Sequence, residues 1–203
     1  MLNRRTFVSA SATVAALAKI GPAAAQTLRK PVRIVVGFPA GGGTDVIARM
    51  IAEKLRGHYA PAVIVDNRPG AAARIAVDYV KNAEPDGTTL LFTPDFPLTV
   101  YPHSYKKLDY DPLRDLLPVT ACAKSMLTFN AGPGLPAEVK TVADFIGWCR
   151  AHPVKAQYGT TSPGATPHFV GVMLARAAGI ELTPVHYKGG ARRCRTCSAA
   201  TFR

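Results

Sequence analysis

The sequence predicts an α/β fold built on a parallel sheet. Short β-branched runs alternate with amphipathic segments, and the turns between them fall on Gly and Pro. The 203 residues are 48% hydrophobic and 19% charged, which suits a globular chain with ample material for a core.

Arg33-Ile34-Val35-Val36-Gly37 reads as the first buried strand. A Pro and three glycines then break the chain, and Thr44 or Asp45 is placed to cap a helix whose inner face carries Ile47, Met50, Ile51 and Leu55. Gly57 is suited to end it. Val63-Ile64-Val65 is a second strand, Asn67-Arg68-Pro69-Gly70 a turn, and an Ala-rich helix follows to about Lys81. Pro85-Asp86-Gly87 turns into a third strand, Thr89-Leu90-Leu91-Phe92. This βαβαβ order predicts helices on both faces of the sheet.

Residues 94–118 hold five prolines and read as a surface crossover, after which Leu127-Thr128-Phe129-Asn130 is expected to be a strand. Thr141-Val142-Ala143-Asp144 has the spacing of a capping box, with Val142, Phe145, Ile146 and Cys149 on the inner side of its helix. A strand at 156–159, a helix at 168–178 with Phe169, Val172, Met173 and Ala177 inward, and a strand at 183–187 complete the pattern.

The N-terminus reads as an export signal. Residues 1–5 are basic, 7–20 apolar and small, and Ala23-Ala24-Ala25 offers a cleavage site before Gln26. Asn3-Arg4-Arg5-Thr6-Phe7-Val8 resembles a twin-arginine signal, with Sec export as the other route. Beyond it, no apolar run reaches the roughly 18 residues of a membrane span. The net charge of +12 invites a nucleic-acid reading, but three of the cations lie in residues 1–25 and four in residues 191–203, with no acid in either stretch. Without those seven the balance is +5, and no basic stripe interleaved with aromatics remains. No metal-ligand spacing, cofactor motif, nucleophile elbow or paired acid and base stands out, so an enzyme, a metal site and a cofactor are not expected.

Two loops carry the chemistry. Phe38-Pro39-Ala40-Gly41-Gly42-Gly43-Thr44-Asp45 joins a strand to a helix N-terminus, where glycines let a ligand approach backbone N–H groups and the helix dipole favours an anion. An ordinary tight turn would use the same residues. The loop lacks the Lys-Ser/Thr of a phosphate-binding loop and the spacing of a dinucleotide fingerprint. Tyr158-Gly159-Thr160-Thr161-Ser162-Pro163-Gly164-Ala165-Thr166-Pro167-His168 is a second strand-to-helix loop, rich in neutral donors that suit a carboxylate. His168 is expected to cap or pack rather than to bind metal. Two such loops at strand ends, from two lobes, would face one another across a cleft.

The ordered set comprising residues 31–45, Val65-Asp66-Asn67-Arg68-Pro69-Gly70, Pro85-Asp86-Gly87-Thr88-Thr89-Leu90-Leu91, Leu108-Asp109-Tyr110-Asp111-Pro112, Leu117-Pro118-Val119 and His186-Tyr187-Lys188-Gly189-Gly190 is similar to the Bug family. These proteins are the periplasmic substrate-binding components of tripartite tricarboxylate transporters. The resemblance implies a periplasmic-binding-protein-like (Venus flytrap) α/β fold of two lobes. It implies a periplasmic, non-enzymatic binder of a small carboxylate (a di- or tricarboxylate, or an aromatic acid or amide) that works with membrane transporter subunits and acts as a monomer. The implied ligand residues are Phe38, Ala40, Gly41, Gly42, Gly43, Thr44 and Asp45 from the first loop, Thr160, Thr161, Ser162, Ala165, Thr166 and His168 from the second, and Asp95.

The chain departs from the family in three places. Ala71-Ala72-Ala73-Arg74-Ile75-Ala76 stands where relatives carry glycines and Asn-Ile-Gly; Arg74 either faces an acidic ligand or is solvated, and abundance of surface Arg favours the second. Thr93-Pro94-Asp95-Phe96-Pro97 replaces small residues, and an Asp95 facing the cleft would favour an amine or amide on the ligand. The second loop carries Pro163 and Pro167 and lacks the usual Asn. The Arg- and Cys-rich residues 191–203 read as an out-of-frame tail, which explains Cys194-Arg195-Thr196-Cys197 better than redox or metal work does. The expected division is a signal peptide at 1–25, a first lobe at 26–120, part of a second lobe, truncated, at 121–190, and the tail. The alternatives are a frameshifted remnant of such a binder, an enzyme acting on a carboxylate, and a sensory accessory. Cys122 and Cys149 either pair or sit buried.

Overall fold

The computed structural model describes residues 28–132 and 134–187. The expected signal peptide and the expected out-of-frame tail lie outside them. Two parallel sheets organise the chain. The first joins β1 (Val32–Val36), β2 (Val63–Asn67) and β3 (Thr89–Phe92) in the order β2-β1-β3, with Ile34 opposite Val65 on one side and Leu90 on the other. The second pairs β4 (Gln157–Thr160) with β5 (Thr183–His186). Helix α1 (Gly43–Leu55) links β1 to β2, and α2 (Arg74–Lys81) links β2 to β3. With β1 central, right-handed crossovers in opposite directions place these helices on opposite faces.

Each face buries its own set. Val32, Ile34 and Val36 pack with Ala48 and Ala52 of α1, while Val35, Ala76 and Val77 are buried as well. The inner stripe of α1 is therefore Asp45, Ala48 and Ala52. The expected inward residue Met50 is 63% exposed, because it lies roughly half a turn round the helix from the buried Ala48 and Ala52. Neither Thr44 nor Asp45 caps α1; Gly42 is the N-cap, without a side-chain bond.

Between β2 and α2 lies a left-handed turn of three alanines, Ala71–Ala73, with φ of 45°, 57° and 73°. Each L-residue there costs roughly 1–2 kcal/mol. The turn is held by Ala73 N–H donating to Gly70 O and by the Tyr101 hydroxyl donating to Ala72 O. Glycine tolerates this backbone, so Ala72→Gly is expected to stabilise the protein by about 1 kcal/mol, read as a raised urea midpoint.

The proline-rich stretch is not a mere surface crossover. It folds into two short helical turns, α3 (Phe96–Thr99) and α4 (Tyr101–Ser104), and buries Phe96, Tyr101 and Tyr110. The strand expected at Leu127-Thr128-Phe129-Asn130 does not form: the segment is exposed and no neighbouring strand among the described residues pairs with it. Helix α5 (Val142–Ala151) starts at the expected capping box, with Asp144 N–H donating to Thr141 Oγ1 and Thr141 N–H donating to the Asp144 carboxylate. It buries Phe145 and Cys149, whereas Val142 is exposed. Cys122 is exposed, and both cysteines are free thiols. Helix α6 (Thr166–Ala178) turns Gly171 inward against Tyr158, while the expected inner residues Phe169, Met173 and Ala177 are exposed. Among the described residues no helix is long and apolar enough to cross a membrane.

Candidate functional site: two loops on one aromatic row

The first loop leaves β1 at Gly37 and enters α1. Asp45 organises it. Its carboxylate accepts from Gly41 N–H at 2.9 Å, Arg49 Nε at 2.9 Å and Asn67 Nδ2 at 2.9 Å. The same Asn67 amide donates to Phe38 O at 3.0 Å. Asn67 thus clamps both ends of the loop from the end of β2. Sequence reading placed it only in a turn, because its role depends on a neighbour 22 residues away. The Arg49 bond, with those from Gly41 and Asn67 and against the effect of burial, lowers the Asp45 carboxyl to about 2. Around this anchor, Ala40, Gly41 and Gly43 are exposed and Gly42 and Thr44 half-buried. Gly43 and Thr44 form the first turn of α1, where N–H groups lack intrahelical acceptors.

The second loop leaves β4 at Thr160 and enters α6. Thr160, Ser162 and Ala165 are buried, and Thr161, Thr166 and His168 half-buried. His168 holds the loop: its Nδ1 accepts from Gly164 N–H at 3.0 Å, and its ring meets the His186 ring edge-on at 5.0 Å. Burial, followed by the nearby His168, pushes the His186 pKa down. No group of three or more metal-ligating side chains occurs among the described residues.

A row of aromatic rings brings the loops together. Phe38 lies 6.1 Å from Phe96, Phe96 5.6 Å from Tyr101, and Tyr101 4.8 Å from Tyr105. Ala165 of the second loop is buried in the same cluster, and the Tyr105 hydroxyl donates to Pro163 O at 3.2 Å. Asp95 precedes Phe96, exposed and without a cap bond. Three buried hydroxyls, those of Thr93, Thr160 and Thr166, have no hydrogen-bond partner among the described residues. They lie just past β3, at the end of β4 and at the start of α6. Thr93 was not among the expected ligand residues. A separate cavity of about 860 Å³ runs along α2 near the starts of β1 and β3, lined by Lys30, Arg68, Tyr79 and Asp86 among others. None of its lining residues belongs to either loop, and its Lys30 and Asp86 pair with one another.

Residues 47–200 match the family described as the tripartite tricarboxylate transporter family receptor. The chain belongs to that family. A UPF0065 protein of Cupriavidus necator is 31% identical to this receptor-family chain over 198 residues, covering 93% of it and 58% of the relative. An R. palustris protein solved with adipate is 32% identical, with a TM-score of 0.73 over 84% of this chain and 56% of the other. The periplasmic binding protein BugD is 26% identical, with a TM-score of 0.65 over 83% of this chain and 56% of that one. The chain thus spans a little over half the length of these relatives. The Bug resemblance and the periplasmic-binding-protein fold read from the sequence are borne out, and the homologues are solute-binding receptors.

Proposed function

We propose that the chain is an exported, non-enzymatic solute-binding protein. It captures a small carboxylate between the loops at 38–45 and 160–168 and presents it to a tripartite tricarboxylate-type transporter in the periplasm. Residues 1–25 are its signal peptide, read by the twin-arginine or the Sec route, and residues 26–120 and 121–190 contribute its two lobes. The observation that carries this reading is the set of orphaned hydroxyls on Thr93, Thr160 and Thr166. A buried hydroxyl without a partner costs about 1–3 kcal/mol. A carboxylate, which only accepts hydrogen bonds, would satisfy such donors. The adipate bound to the R. palustris neighbour supports this ligand class.

The test is calorimetry with a panel of small mono-, di- and tricarboxylates, with NMR to check that the ligand is unchanged. One-to-one uptake without turnover is expected; conversion of the ligand would make the protein an enzyme. Thr160→Val separates binding from folding. Removing an orphaned hydroxyl at equal volume should leave thermal stability equal or higher. Affinity should fall about tenfold, the worth of one hydrogen bond to a charged group. Unchanged affinity would remove Thr160 from the site.

A further inference from the structure

Arg74 is the first residue of α2 and is half-buried. Arg33, Arg49, Arg68 and Arg114 each meet an aspartate. Arg29, Arg56 and Arg176 meet none but are exposed, so water serves them. Arg74 alone among these arginines is half-buried without a carboxylate partner among the described residues. Its guanidinium is nevertheless held in place. Nε donates to Ala71 O at 3.0 Å, and Cζ lies 4.5 Å from the centre of the Tyr105 ring. That leaves the terminal N–H donors unused by the described residues, in the planar fork that matches a carboxylate. Arg74 is thus partly exposed yet fixed by two contacts.

Its position ties it to the candidate site. The Tyr105 ring under the guanidinium also donates its hydroxyl to Pro163 O, and a Cβ on Gly164 would come within 3.2 Å of Tyr105 Cε2. Arg74 is therefore one ring away from the turn of the second loop. The left-handed alanine turn presents the Ala71 carbonyl that fixes Nε, and backbone strain of this kind gathers at ligand clamps. We infer that Arg74 is a specificity determinant of the site: the cation that meets the far carboxylate of a dicarboxylate whose near carboxylate lies on the two loops. This inference rests on the carboxylate-binding reading above.

Adipate and hexanoate, equal in length and differing by one carboxylate, test it in calorimetry on the longest chain the gene encodes. The wild-type protein is expected to bind adipate at least about tenfold tighter than hexanoate. Arg74→Gln should bring adipate down to the hexanoate affinity while hexanoate stays within about twofold, and Arg74→Lys should keep part of the preference. Equal binding of the two acids by wild type, or equal weakening of both by Arg74→Gln, would overturn the role of Arg74 and leave the carboxylate reading standing. Binding of neither acid, nor of any other small carboxylate, would overturn both. If Arg74→Gln does not fold, the Arg74 side-chain Nε–H resonance of wild type decides: it should shift with adipate and not with hexanoate, and no shift with adipate refutes the inference.

Discussion

Asp45→Ala is expected to destabilise the protein by about 3 kcal/mol and to abolish ligand binding. Asp45 is 2% exposed and its carboxylate serves three donors, so its loss leaves Gly41 N–H without its acceptor, the Asn67 amide with only its bond to Phe38 O, and Arg49 without its counter-charge. Breaking one side of a buried, hydrogen-bonded charge network costs about 3–5 kcal/mol, and the half-exposed Arg49 places this case at the lower end. The same carboxylate predicts an acid limb. Its folded pKa of about 2 lies below the ordinary value of 3.8, so the folded state holds the proton less readily than the unfolded chain. Its contribution, about 2 kcal/mol, is complete above pH 4 and is lost as pH falls from 4 towards 2. Urea titrations at pH 7, 4 and 2.5 should show this loss in wild type and a shallower slope in Asp45→Ala.

Gly37→Ala should be nearly as damaging, for a steric reason. A Cβ at Gly37 would sit 2.4 Å from Ala73 Cβ and 2.8 Å from Ala73 Cα, and the second of these contacts is with backbone. No rotamer change relieves it; β1 and the alanine turn must separate, at a cost of about 3 kcal/mol. Adding Ala73→Gly removes the closer contact and relaxes a residue at φ 73°. The double variant should recover at least about 1 kcal/mol relative to the sum of the single changes, a coupling measurable by urea denaturation. Additivity would mean that the two positions do not press on each other.

The first sheet was legible because its signals are local. Val32–Val36, Val63–Asn67 and Thr89–Phe92 are β-branched or apolar runs bounded by turns, and the capping box at Thr141 and Asp144 is written within four residues. Helix faces were less legible. Periodicity weighs apolar bulk, and it favoured Met50 and Phe169, whereas the contacts use Ala48, Ala52 and Gly171, whose small size sets how closely a helix can lie. The expected strand at Leu127-Thr128-Phe129-Asn130 had the propensity but no partner, and pairing makes a strand. In the site, glycine and hydroxyl clusters marked both loops. The Asn67 clamp, the orphaned Thr93 and the setting of Arg74 were not legible, since each depends on a contact between distant segments.

The alanine turn has an evolutionary side. Every alanine codon is one base from a glycine codon, so relief of left-handed strain lies a single substitution away at Ala71, Ala72 and Ala73. Glycine would ease the fold but would also let the turn sample right-handed conformations that alanine, once packed, does not reach as readily. The guanidinium that hangs from the Ala71 carbonyl would then have more positions open to it. By keeping alanine at all three sites, the chain accepts a less comfortable backbone and gains a narrower aim for the residue that follows.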